Sequence, residues 1–330
     1  MRETLRLETG EDDAGRRLDR ILRKALPDHS LSLIHRLLRQ GKIRVNGKPA
    51  RLETKVLAGS VIQVETLAEP QKRLGHSPQN NGGVLPALPE MLAKGSGIVF
   101  FNKPAGLASH GAESLDAIVK ARYAARPPSP SLSFKPGPLH RLDRPTSGVI
   151  AFSESLAGAR LFTELLRERR IAKTYLAIVE GRVAASEALT WRDVLLRDKS
   201  ARKTFVEEAG GDAKPPAPPK AAETEIRVLA RGDCHTLIEA RIVTGRTHQI
   251  RAQAAARGHP LAGDAKYGGH LAKGRPGGEF FLHAWKIEFD RDIVGLPRIV
   301  LAPPPEPFAA RILDLFGRSP ETAYPPGIFP

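Results

Sequence analysis

Apolar residues early in the chain recur at the spacing of one helical face. Leu18, Ile21, Leu22 and Ala25 stand three and four positions apart, and Leu31, Ile34, Leu37 and Leu38 repeat the pattern. Ser30 is placed to cap the second of these helices and Gly41 to stop it. A short strand through Ile43 and Val45 then meets Asn46-Gly47, the pair that tight hairpin turns prefer, and a further strand is expected at 61–64. This is the outline of a small helix, helix, hairpin unit. Later in the chain the pattern becomes strand-like, with continuous apolar runs at 98–101 and 149–152 and alternating runs at 174–179, 225–229 and 236–243. Leu156, Ala159, Leu161, Phe162, Leu165 and Leu166 predict an amphipathic helix, and Thr247 opens another that Gly258 closes. Strands outnumber helices and hairpin-like connections are common. The fold class predicted is α+β, a mixed and mainly antiparallel sheet with helices packed on it.

Two stretches break the pattern. QKRLGHSPQNNGGVLPALPEM, from Gln71, is crowded with Pro, Gly and Asn and buries too little apolar surface to order itself. EEAGGDAKPPAPPKAAE, from Glu207, reads as a long surface loop inside the second unit. The expected organisation is an N-terminal tail (1–16), a small domain (17–66), a linker (67–95), a large domain (96–318) and a C-terminal tail (319–330).

Charge narrows the choice of partner. The chain carries a formal net charge of +15, which favours a polyanion, because Lys and Arg displace counterions from phosphates. Seven basic residues (Arg36, Arg39, Lys42, Arg44, Lys48, Arg51 and Lys55) against one acid, Glu53, are interleaved with the apolar stripe of the small unit, so one face is basic. Cys234 is the single cysteine, which excludes an internal disulfide framework or a cysteine-built zinc site. No apolar stretch of membrane-spanning length occurs and the N-terminus has no apolar leader core, so neither membrane insertion nor export is expected. On charge alone a nucleic acid leads as partner and an acidic membrane surface follows, and the chain is expected to be cytoplasmic and monomeric. The stretch SLIHRLLRQGKIRVNGKPA resembles the small RNA-binding domain named after ribosomal protein S-four, over about residues 17–66. That resemblance implies RNA, and no particular reaction.

The densest cluster of chemistry is LHRLDRPTSG, from Leu139 to Gly148, where two arginines bracket Asp143. A carboxylate between guanidinium groups has its ionised form favoured and can attack an electrophilic carbon. HRLDRPTSG resembles the signature of the RluA-type pseudouridine synthases. NKPAGLASH (from Asn102), KTYLAIVEG (from Lys173), TGRTHQIR (from Thr244) and GHPLAGDAKYG (from Gly258) follow that family's motifs in order, over about residues 97–290. The resemblance implies Asp143 as catalytic nucleophile and Tyr175 as the aromatic wall for an extruded uracil, assisting proton removal. It implies Arg251 as the partner of Asp143. Arg141 would help displace the base from its stack, and Arg246, His140 and His248 would contact substrate or RNA, as would Arg36, Arg39, Lys42 and Arg44 on the small unit. Gln253 stands where related sequences commonly carry His. The implied reaction involves neither redox change nor hydrolysis and requires no cofactor. The histidines are scattered without a metal-binding HExxH pair, which speaks against metal-dependent hydrolysis. Large-subunit ribosomal RNA is the expected substrate, transfer RNA the runner-up, and a noncatalytic ribosomal-RNA-binding protein the alternative of another class.

Overall fold

A computed structural model of the chain describes residues 2–67, 87–124, 131–184, 188–198, 200–207, 218–270 and 279–317. The small unit contains strand β1 (Arg2–Glu8), helices α1 (Leu18–Ala25) and α2 (Leu31–Arg39), and strands β2 (Ile43–Val45), β3 (Lys48–Pro49) and β4 (Val61–Leu67). The Ser30 hydroxyl accepts from the Leu33 amide at 3.2 Å, closing the first turn of α2. Asn46 and Gly47 both take positive φ, 51° and 77°, as a tight hairpin turn demands. The two helices bury Leu18, Ile21, Leu22, Ile34, Leu37 and Leu38 against Ile43, Ile62 and Val64 of the sheet.

The expected N-terminal tail is instead structured. β1 pairs antiparallel with β4, from Leu5 opposite Val64 to Glu8 opposite Val61, and gives a four-stranded sheet ordered β1-β4-β2-β3. From Thr4 to Glu8 its residues alternate polar and apolar, and Leu7 joins the small core. A seven-residue strand with few apolar positions gains order from pairing, which a sequence pattern does not display.

The large unit begins with β5 (Met91–Gly95), so the last residues of the expected linker belong to a strand. It continues through β6 (Ile98–Lys103), α3 (Leu115–Ala124), β7 (Gly137–Pro138), β8 (Ser147–Ser153), α4 (Leu156–Arg167), β9 (Ile171–Glu180), β10 (Leu189–Asp198), β11 (Lys203–Val206), β12 (Lys220–Arg231), β13 (His235–Ile242), α5 (Gln249–Ala256), β14 (Leu282–Phe289), β15 (Ile299–Leu301) and α6 (Glu306–Phe316). The strands form one sheet ordered β11-β10-β12-β13-β9-β14-β8-β6-β5, with β15 beside β14 and β7 beside β8. Among the described residues, every pairing of these strands is antiparallel except β14 with β8, in agreement with the mixed, mainly antiparallel prediction. Most of the 67–95 linker, most of the Pro-rich stretch after Glu207 and the 319–330 tail lie outside the described residues.

Both faces of the central strands are covered, which explains why their sequences read as continuous apolar runs. Phe101, Phe152 and Ile150 face one side with Tyr175, Ile238, Ile250 and Leu282. Phe100, Val149 and Ala151 face the other, where Phe162 and Leu165 of α4 cover them. Burial of each such side chain stabilises the fold by about 1.5–3 kcal/mol. The loop from β7 to β8 emerges from this doubly covered centre, and so its position is set by the best-packed part of the molecule.

Candidate active site

The β7–β8 loop carries Asp143, and NKPAGLASH holds it in place. Lys103, fully buried, donates from Nζ to the carbonyls of Pro104 (2.9 Å), Leu107 (2.7 Å) and Arg144 (3.2 Å). Burial lowers its pKa to about 8 while the nearby Asp143 charge opposes the shift. Ser109 clamps the adjoining residue at both ends, its Oγ donating to Leu142 O at 2.8 Å and accepting from Leu142 N at 3.1 Å. Where the loop re-enters the sheet, Gly148 has φ 108°, and a Cβ there would run into the Ala284 carbonyl on β14. Next to it Ser147 donates to Nδ1 of buried His283, whose Nε2–H donates to Ala302 O at 2.9 Å.

Asp143 borders a cavity of about 530 Å³ whose walls include Tyr175, Lys173 and Arg251. Arg251 projects from α5 and uses its whole planar fork. Nη1 donates to Asp143 Oδ2 at 2.9 Å, while Nε and Nη2 form a bidentate pair with Asp264 at 2.7 and 2.8 Å. The rings of Phe280 and Tyr267 flank the guanidinium, 4.4 and 4.8 Å from its carbon. Burial alone would loosen its proton, but the two carboxylates outweigh that and raise its pKa. The side chains of Arg251 and Asp264 are 7% and 2% exposed and that of Asp143 16%, so the ion pair is buried with its Asp143 end open to the cavity. Tyr175 on β9 presents its ring to the same space, and burial, then the Asp143 charge, pushes its phenol well above the ordinary range. It is a neutral aromatic wall.

His248 lies between Asp143 and the next layer. It takes the left-handed conformation, φ 55°, at the start of α5. Thr204 N–H donates to the Tyr267 hydroxyl at 2.9 Å, and that hydroxyl shares a hydrogen bond with His248 Nδ1, also at 2.9 Å. Its Nε2 lies 3.6 Å from Asp143 Oδ2, beyond direct hydrogen-bond reach. Burial lowers the ring's pKa to about 4 against the pull of Asp143, with the charges of Arg251, Lys266 and Arg197 adding to the decrease. His248 is therefore neutral at pH 7.

The remaining expected site residues separate into three groups. Arg141 and Arg246 are exposed at the cavity, and Arg246 is steadied by a 3.0 Å bond from Nε to Ala221 O. His140 also lines the cavity, where its Nε2 accepts from Ala151 N at 3.0 Å and its ring stacks on Phe162. Burial, aided by the Lys173 charge, lowers its pKa to about 3, so it ties the loop to β8 and brings no positive charge to the cavity. Arg36, Arg39, Lys42 and Arg44 do not line the cavity; they lie on the small unit, with the three arginines exposed. Asp264, Lys173 and Tyr267 were not singled out from sequence, although GHPLAGDAKYG contained two of them. Gln253, the departure from related sequences, is fully buried and links α5 to Trp191 O, Asp193 and Thr224.

Comparisons with known proteins agree with this geometry. The family described as RNA pseudouridylate synthase matches residues 97–256, and the S4 domain matches residues 16–62. The chain is similar to ribosomal large subunit pseudouridine synthase C of Haemophilus influenzae, 32% identical over 293 residues that span 86% of both proteins. The protein of that name from Escherichia coli K12 is 32% identical over 303 residues, 88% of this chain and 90% of the relative. Among solved structures, human RNA pseudouridylate synthase domain containing 1 aligns with a TM-score of 0.54 at 25% identity, covering 68% of this chain and 86% of that one. Human RNA pseudouridylate synthase domain containing 4 shares the fold, with a TM-score of 0.55 at 21% identity over 67% of this chain and 91% of that one. The ordered motifs, the sheet and the extent of these matches together place the chain in the RNA pseudouridylate synthase family.

Proposed function

We propose that the protein converts specific uridines of large-subunit ribosomal RNA to pseudouridine, as a cytoplasmic monomer and with Asp143 as nucleophile. The observation that carries this reading is one carboxylate, held by a guanidinium at 2.9 Å, facing a cavity walled by a neutral tyrosine. A uracil swung out of its stack loses its neighbours' π faces, and the Tyr175 ring offers a replacement. The reaction breaks the bond from C1′ to N1, turns the uracil and joins C1′ to C5. The C5 proton leaves and N1 gains one, so atoms and electrons balance without a co-reactant. Asp143 can begin by attacking C1′, by adding to the uracil ring, or by removing a sugar proton to give a glycal. Each route needs a carboxylate oxygen aimed into a space from which free uracil does not escape. Arg251 aims it, and Arg141 at the rim helps displace the base from its stack.

The substrate assignment is supported by the names of the relatives and by the matched S4 domain; transfer RNA is the competing substrate. The test of the chemistry uses RNA tritiated at uracil C5, from which the wild type releases label and Asp143→Ala does not. Equal release by both would remove Asp143 from the mechanism. Mapping pseudouridines in RNA from a strain lacking the gene identifies the substrate.

A further inference from the structure

The short turn Glu11–Asp13, between β1 and α1, reaches across to the large unit. Asp13 is fully buried, yet among the described residues it forms no ion pair, and donors of hydrogen bonds hold its carboxylate. Its Oδ1 accepts from Ser131 Oγ at 2.8 Å, Ser133 N at 3.1 Å and Ser133 Oγ. Its Oδ2 accepts from Leu132 N at 2.8 Å and from Gly10 N of its own turn at 3.0 Å. Leu132, between the two serines, packs against the apolar core of the small unit. The neighbouring Asp12 accepts from Leu156 N, the first residue of α4, at 2.7 Å. A buried carboxylate without a counter-ion is tolerated only where directed donors satisfy both oxygens. That requirement fixes orientation as well as proximity, unlike a surface ion pair, which tolerates sliding. The donor segment also continues into β7 and, five residues past Pro138, reaches Asp143.

We infer that Asp13 is a specificity-determining latch, which holds the basic face of the small unit at a set position relative to the Asp143 cavity and so selects the uridine presented to it. The inference rests on the RNA-modification reading above. Its physical basis is geometric. Arg36, Arg39 and Arg44 grip phosphates without reading sequence, so they specify a site only if their distance from the cavity is constant. Released from the latch, the small unit stays tethered and still binds RNA, but at a range of offsets.

The test compares wild type, Asp13→Asn and the double variant Ser131→Ala/Ser133→Ala on total RNA from a strain lacking the gene. Pseudouridines are mapped by position and rate. The expected result is that both variants bind RNA within threefold of wild type, while the ratio of the preferred uridine to all other modified uridines falls at least tenfold. A role in stability alone lowers the rate at every uridine together and leaves that ratio unchanged. A ratio within twofold of wild type in the double variant, which leaves the small unit's sequence intact, overturns the latch. A wild type that makes no pseudouridine overturns the underlying reaction instead, and label release from C5-tritiated RNA separates the two failures.

Discussion

Replacing Asp264 by Asn tests whether the guanidinium of Arg251 must be anchored from behind to aim Asp143. Arg251 has three hydrogen bonds to carboxylates, and two of them go to Asp264, at 2.7 and 2.8 Å. Asn keeps the shape but presents one N–H2 group to a donor, so at least one charge-assisted bond is lost and the partner charge disappears. Breaking one side of a buried pair destabilises by about 3–5 kcal/mol. At about 2–4 °C per kcal/mol for a domain of this size, the melting midpoint of the large unit falls by roughly 6–20 °C. A hydrogen bond to a charged group is worth about 1.5–3 kcal/mol. If most of that, about 2–3 kcal/mol, is expressed in the transition state, kcat falls about 30- to 150-fold, because each 1.36 kcal/mol is tenfold. KM should change little, since Asp264 is buried behind the guanidinium and away from the RNA. Tritium release from C5-labelled RNA, measured well below the lowered midpoint, gives both constants. A variant that melts earlier but keeps kcat within threefold of wild type would show that Asp264 serves stability alone and that Asp143 needs no such alignment.

Two further outcomes follow from charge. Neutralising Arg36 and Arg39 together should weaken RNA binding and flatten its salt dependence by about one unit of log–log slope for each phosphate left without its arginine; an unchanged slope would exclude that face from the interface. His140, His248 and His283 have folded pKa values lowered by burial to about 3, 4 and 4, below the ordinary 6.5. The unfolded chain therefore binds protons more readily than the folded one between pH 6.5 and 4, and stability is lost as pH falls through that window. Melting midpoints should decrease from pH 6.5 to pH 4.5, and His283→Gln, which keeps a donor and an acceptor for Ala302 and Ser147, should flatten the decrease. A steeper decrease in that variant would contradict the neutral assignment of His283.

Much of the fold was legible because its signals are local. The Ser30 cap, the Gly41 stop and the Asn46-Gly47 turn each depend on the conformational preference of one or two residues, and each occurs where the pattern put it. The strand at 149–152 reads as apolar throughout because both of its faces are covered. β1 was missed for the opposite reason, since a polar edge strand takes its order from a partner more than fifty positions away. That His140 is neutral follows from burial, stacking and a strand amide, none of which its sequence neighbours reveal. Within the site, motif order pointed to Asp143, Tyr175 and Arg251, which line one cavity.

The chain's own letters were enough to establish the chemistry on offer: a carboxylate between arginines, an aromatic at the start of a strand motif, and a basic small unit. These are matters of residue type and order, which folding does not alter. Which carboxylates share Arg251, which group meets His248 Nδ1, and what surrounds Asp13 were open until the fold was in view. Asp264 is 13 positions from Arg251 and Asp143 is 108. Hydrogen bonding and burial act over about 3 Å of space, and that nearness is set by the packing of the sheet rather than by distance along the chain.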